Sequence, residues 1–159
     1  NPDGAPSGWI SVEGDVRFAA AFCIGNTAAH LTQAQFAQFL DSVTCVLKPG
    51  APWIFQVMNW DYVLERESFT FPVIETPQGL TFHREYRDVS AAQVTFYTRL
   101  QSHSEVIFEN AVPLYPLRSA DIARLHQEHG FTTVAHFGNY AGALFDPAVF
   151  SANIFVCCL

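Results

Sequence analysis

"FCIGNTAAHL", residues 22 to 31, decides the reading of this chain: an apolar run stops at a glycine, and an asparagine and a histidine follow just before a helical pattern. Extended upstream, the run becomes "VRFAAAFCI" (16 to 24), small, aromatic and β-branched without alternation. That composition predicts a strand buried on both faces at the centre of a sheet. Downstream, in "LTQAQFAQFLDSVTCVLKPG", Thr32 and Gln35 have the spacing of a capping box, and Phe36, Phe39, Leu40, Val43, Val46 and Leu47 recur on one helical face. Pro49 and Gly50 end that helix. "APWIFQVMN" (51 to 59) is a second apolar run of strand length, so the segment reads as strand, helix, strand, a unit that normally joins parallel strands by a right-handed crossover.

The remainder divides in two. "FTFPVIETPQGLTFHREYRDVSAAQVTFYTRLQSHSEVIFENAVPLY" alternates partially and is broken by the turn compositions "TPQG", "DVSA" and "QSHS", which predicts an antiparallel meander. "PLRSADIARLHQEHGF" then reads as a helix with Ser119 as N-cap, Ile122 and Leu125 turned to the core and Gly130 as the stop. "TTVAHFGNY" and "SANIFVCCL" are the two closing strands. The expected organisation is one α/β domain over 1–159: a loop or tag remnant (1–9), a Rossmann-like core (10–60), an antiparallel insertion (66–117) and a C-terminal helix with two core strands (118–159).

Composition narrows the function classes. The chain has 159 residues, half of them hydrophobic, enough for a sizeable core. Eight basic against 15 acidic residues give a net charge of −7 without a basic stripe, which argues against a nucleic-acid partner. Apolar runs stop well short of the roughly 20 residues of a membrane span, so no membrane is expected. Cys23, Cys45, Cys157 and Cys158 show neither metal-site nor disulfide spacing, which favours a reduced, cytoplasmic setting and no metal. His126 and His129 share a helix face, but no carboxylate or cysteine completes a metal set beside them. The opening "NPDGAPSG" has no methionine and no signal-peptide pattern, so the chain is expected to begin inside a longer product. No G-x-S-x-G elbow, Walker loop or dinucleotide fingerprint occurs.

In an open α/β sheet, ligands sit outside the carboxyl ends of parallel strands, where loops lead into helices. "GNTAAH" and "NWDY" occupy two such ends. Gly25 permits a sharp exit, and Asn26, Thr27, His30 and Asn59 offer hydrogen-bonding groups there. The bland alternative stands beside each: Asn26 as a turn residue, Thr27 as support for the helix start, His30 as a satisfied histidine before the cap.

"FCIGNTAAHL", "FLDSVTCVLKPGAPWIFQVMNW", "TFHREYR", "PLYPLRSADIARLHQEHGF" and the closing strands together resemble the second half of a class I S-adenosylmethionine-dependent methyltransferase, in the group similar to glycine and sarcosine methyltransferases. The resemblance implies S-adenosylmethionine as cofactor and a small-molecule methyl acceptor. Ile24 matches the residue whose backbone faces the methionine part, with Cys23 and Gly25 beside it. Asn26, Thr27 and His30 match the motif near the sulfonium, and Asn26 and His30 are the implied catalytic pair. Asp15 in "VEGD" is similar to the residue that recognises the adenine. Asn59, Trp60, Arg84, Tyr86 and Tyr115 are expected to line the acceptor pocket, Arg84 and Tyr86 from a meander that roofs the site. Their alternative is cross-strand pairing with Glu85 or Asp88.

Two departures shape the expectation. No two glycines are separated by a single residue, so the Gly-x-Gly cofactor turn has no counterpart, nor does the acidic residue that holds the ribose. Met58 stands where glycine-type enzymes carry a carboxylate-binding arginine, so glycine is a poor acceptor candidate. Two functions follow: methyl transfer to nitrogen or oxygen of a small molecule, or a non-catalytic domain kept for interaction or oligomerisation. Without the three preceding strands, the first strand is left as an apolar edge, and a homo-oligomer formed edge to edge or through the meander is expected.

Overall fold

The computed structural model describes residues 17–103 and 105–159; Asp15 and the opening loop lie outside them. Strand β1 (Ala21–Cys23) leads through a 3-10 turn (Thr27–His30) into helix α1 (Gln33–Val46), and strand β2 (Pro52–Met58) returns parallel to β1. The capping box forms: the Gln35 N–H donates to Thr32 Oγ1 at 3.3 Å and the Thr32 N–H donates to Gln35 Oε1 at 3.0 Å. Such a cap satisfies two donors that the first helical turn leaves without partners. Phe36, Leu40, Val43 and Leu47 are buried, as their spacing requires.

A short helix α2 (Trp60–Val63) leaves β2 for the antiparallel sheet of β3 (Phe69–Thr70), β4 (Ile74–Glu75), β5 (Leu80–Arg87), β6 (Val94–Ser102) and β7 (Glu105–Leu114). Its order is β3-β5-β6-β7, with β4 also on β5. Helix α3 (Ser119–Glu128), β8 (Thr132–Phe137) and β9 (Ala152–Cys158) complete the first sheet, whose order is β1-β2-β9-β8. There β9 runs antiparallel to both neighbours. The fold is an α/β Rossmann-like sheet carrying an antiparallel meander.

Three expectations need correction. The first strand is shorter than 16–24: Phe18 bridges to Leu47 and the chain bends at Ala19, so only Ala21–Cys23 pair with β2. It is also an edge strand among the described residues, with one face open: Phe22 and Ile24 are 71% and 43% exposed. Ser119 is not the cap of α3. Asp61 supplies that cap from α2, accepting from the Ser119 N–H (2.9 Å), Ser119 Oγ (2.6 Å) and Arg118 Nη1 (3.1 Å). Burial alone would raise the Asp61 pKa, but the Ser119 and Arg118 bonds outweigh it and hold the carboxyl below its usual range.

The core lies on one face of the first sheet. Phe36 of α1 and His126 of α3 both meet Phe55 of β2, at ring separations of 5.1 and 5.5 Å. Trp53, Phe55 and Val57 point into this layer, while Ile54 between them is 36% exposed on the opposite face. The meander meets the core where the Tyr86 ring, tilted against buried Trp60, lies 5.3 Å from it, beside buried Val94 and Leu114.

The far side of the meander ends in β7, ten residues whose outer edge has no partner among the described residues. Val106, Ile107 and Phe108 on it are 40%, 54% and 48% exposed. A long apolar edge is a template for pairing with another chain. The chain is therefore expected to self-associate through β7, and a charged variant, Ile107→Lys, to shift it toward monomer in light scattering. A parent that is monomeric at high micromolar concentration would count against this.

Candidate functional site

A cleft of about 300 Å³ opens where the carboxyl ends of β1 and β2 face the meander. Its construction starts at Gly25 and Asn26, both with left-handed backbone (φ 75° and 63°). Glycine takes this conformation freely, and asparagine is among the few residues that tolerate it. Gln56, in the middle of β2, holds the turn: its Oε1 accepts from the Gly25 N–H at 2.6 Å and the Asn26 N–H at 3.3 Å. The Asn26 side chain then ties three elements together. Its Oδ1 accepts from the Met58 N–H at 2.8 Å, and its Nδ2 donates to the Tyr86 hydroxyl at 3.2 Å.

Around this knot, His30, Met58, Phe71, Arg84, Phe96, Leu114, Ser151 and Ala152 close the walls. The lining is divided about evenly between polar groups (Asn26, His30, Gln56, Arg84, Tyr86 and Ser151) and apolar ones, so polar groups converge beside an apolar wall. Burial pushes the Tyr86 phenol well above its ordinary pKa, only partly offset by the charge of Arg84, so the hydroxyl stays protonated at neutral pH. Since its oxygen accepts from Asn26, its own hydrogen remains available to a group in the cleft. Arg84 spans the rim, with Nη2 donating to the Pro72 carbonyl at 3.1 Å and its charge 5.2 Å from the Phe71 ring centroid. The ion pair available to the meander goes instead to Arg87 with Glu85.

The structure brings Gly25, Asn26, His30, Arg84 and Tyr86 to one cleft and leaves the other candidates among the described residues outside its lining. Asn59 is fully buried and committed to the fold: its Nδ2 donates to the Pro147 and Phe150 carbonyls and its Oδ1 caps α2 through the Tyr62 N–H. Trp60 is buried beneath Tyr86. Tyr115 approaches through its backbone, the N–H donating to the Ala29 carbonyl at 2.7 Å. The Thr27 hydroxyl donates to the Ile24 carbonyl at 2.8 Å. The Ile24 side chain lines a separate apolar groove with Phe22, Ile54 and Val156 on the open face of the sheet. Cys23 is half-buried, and burial raises its thiol pKa against the opposing bond from the Ala28 backbone.

Gln56 is the residue that sequence reasoning missed and the cleft most depends on. The available signal was a single polar side chain inside an apolar strand, "WIFQVM", because a polar group in a buried run needs a partner. Ser151 and Ala152 arrive through register, with Ala152 directly opposite Met58. Among the described residues no group of three or more His, Cys, Asp or Glu could hold a metal, and no helix is long and apolar enough to cross a membrane.

Compared by sequence, the chain matches no protein-family model and no curated protein. Compared by structure, 93% of it superposes on the CcbJ methyltransferase from Streptomyces caelestis with a TM-score of 0.78 at 15% identity. An S-adenosylmethionine-dependent methyltransferase from Clostridium acetobutylicum matches 94% of it with a TM-score of 0.75 at 11% identity. An amino pentose methyltransferase from Micromonospora echinaspora, solved with S-adenosylmethionine bound, matches 93% with a TM-score of 0.63 at 14% identity. The likeness is one of fold, and the chain spans 61 to 63% of the length of these three structures.

Proposed function

We propose that this chain carries the acceptor side of an S-adenosylmethionine-dependent methyltransferase acting on nitrogen or oxygen of a small molecule. The observation that carries the proposal is the cleft itself: Asn26 is locked between β2 and the meander at the strand ends where ligands of α/β sheets bind, on a methyltransferase fold. The resemblance to the glycine and sarcosine group rests on the GN-x3-HL motif of residues 25–31, and Met58 in place of an arginine turns the acceptor away from glycine.

The residues present suit the methyl-bearing end of the cofactor. A Cβ at Gly25 would meet nothing within 4 Å, so open space lies against an exposed backbone, with the neutral Asn26 amide and Tyr86 phenol on the lining beside it and the one charged donor, Arg84, bonded at the rim to the Pro72 carbonyl. Gly25, Asn26 and His30 would hold that end, with Thr27 supporting the turn through its bond to the Ile24 carbonyl. Bound there, the cofactor supplies an electrophilic methyl group for in-line displacement. Positioning falls to the chain. Asn26 and Tyr86 fix the acceptor by hydrogen bonds, and Phe71, Phe96, Met58 and Leu114 exclude water from the reacting pair. Such orientation alone contributes about 7–11 kcal/mol to lowering a barrier. The exposed His30 ring at the rim takes the proton that the acceptor N–H or O–H gives up.

Incubation with methyl-labelled S-adenosylmethionine and a panel of amino and hydroxy compounds tests this. Label is expected in at least one acceptor, with His30→Ala reducing the rate about 10²-fold or more. Transfer unaffected by His30→Ala would remove that residue from the mechanism. A second reading, a non-catalytic interaction module, is favoured by the exposed apolar edge of β7. It predicts association without any labelled product.

A further inference from the structure

A second cavity, of about 270 Å³, lies on the meander and is lined by Thr70, Phe71, the β5 residues His83 to Glu85 with Arg87, and Tyr97, Arg99 and Gln101 of β6. Phe71 and Arg84 also wall the cleft described above, but the remaining residues belong to this cavity alone. The charge is the unexpected part. The chain carries eight basic residues against 15 acidic ones, yet two of the eight, Arg87 and Arg99, line this cavity from one face of the β5–β6 ladder together with one carboxylate, Glu85, while Arg84 alternates to the opposite face and only borders it.

That carboxylate is already taken. Arg87 pairs with Glu85 and lies over the Tyr97 ring at 3.5 Å, so its guanidinium is fixed. Arg99 has no such partner: it makes no hydrogen bond or ion pair to a described residue, although its Nε is out of contact with solvent. Glu109, opposite Arg99 in the β6–β7 ladder, is exposed and forms no ion pair with it. His83, directly opposite Arg99 across the other ladder, likewise has a buried Nε2 without a partner. Buried polar groups are normally satisfied, and two unsatisfied nitrogens side by side at one concave site call for a partner from outside the chain. Guanidinium groups present planar pairs of N–H donors that match the oxygens of carboxylate and phosphate.

We propose that this cavity is an anion-binding site, centred on Arg99 and His83 with Arg87 at its side, that takes a phosphate or carboxylate group of a small molecule. It stands independently of the methyl-transfer reading, since it uses none of the strand-end residues. Titration calorimetry of the purified chain at low salt, with inorganic phosphate in one arm and citrate in the other, tests it. At least one arm should saturate at one site per chain, and the tighter of the two identifies the preferred oxyanion. Arg99→Gln and, separately, Arg87→Gln should each weaken that binding about tenfold or more. Arg124→Gln removes the same charge from the exposed face of α3 and should leave it unchanged. Thermal melts of each variant identify any that has lost its fold, and the other arginine variant then carries the comparison. The proposal is overturned if neither anion saturates, or if the three variants weaken binding alike, which would be diffuse attraction rather than a site.

Discussion

Truncating His126 to alanine is expected to lower the free energy of unfolding by about 3–5 kcal/mol. The ring is fully buried in the layer between α1, α3 and the first sheet, against Phe36, Phe55, Phe131 and Phe155. Its two nitrogens have distinct duties. Nδ1 donates to the Ile122 carbonyl at 2.7 Å, so Nε2 carries no hydrogen and accepts from the Trp53 indole N–H at 2.9 Å. Alanine leaves a cavity and an unpaired indole donor together. His126→Phe separates the two, because it refills the space and leaves only the unpaired donor, at a cost of about 1–3 kcal/mol. Urea unfolding midpoints of the two variants measure both; equal losses would mean that the hydrogen bond alone matters.

The same ring sets a pH dependence. Burial lowers the His126 pKa, reinforced by the nearby His129 and opposed by the Ile122 bond, and burial lowers that of His136 against its bond to Asn153. In the unfolded chain both rings gain a proton near pH 6.5, while in the folded chain they do so only at lower pH. Between those values the unfolded state binds more protons, so stability falls as pH drops below about 6.5. Above that value these two groups contribute no further slope. Melts from pH 8 to pH 5 should show a plateau and then a decline, and the decline should be shallower in His126→Phe.

Asn26→Ala is the second large effect, about 2–4 kcal/mol, and it falls on the cleft. The substitution removes the acceptor of the Met58 N–H and the donor to Tyr86. It also places a Cβ residue without local hydrogen bonding at φ 63°, which adds about 1–2 kcal/mol. Asn26→Gly should recover the backbone part and none of the side-chain part, so the glycine variant should be the more stable of the two. Both should lose ligand binding in the cleft, because the tie between β2 and the meander is gone in each. An alanine variant as stable as the glycine variant would contradict the strain argument.

The parts of this molecule readable from sequence are those written within a few residues. The capping box of Thr32 and Gln35, the apolar stripe of α1 and the glycine stop after α3 are local patterns, and each formed. Asn26 and His30 were legible because a glycine at a strand end followed by polar groups marks a site in an open sheet. Asn59 looked equivalent at the end of the next strand, but its amide is held by carbonyls about 90 residues later, at Pro147 and Phe150, which no local pattern announces. Gln56 was hidden for the converse reason: its side chain works across the sheet, on the turn after β1. The cap of α3 shows the same limit, since Ser119 has the right chemistry and Asp61, 58 residues earlier, takes the role.

Titration of S-adenosylhomocysteine into the isotopically labelled chain, followed through backbone amide signals by NMR, asks whether the cleft takes the methyl-bearing end of the cofactor. The technique registers weak binding, so it does not depend on the cofactor loop that this sequence lacks. Saturable shifts are expected at Gly25, Asn26, Thr27 and His30, attenuated in Asn26→Ala, with Arg124 and its helix face unmoved. Shifts absent at millimolar ligand, or confined to residues away from the β1 and β2 ends, would contradict a methyl-transfer site in this cleft.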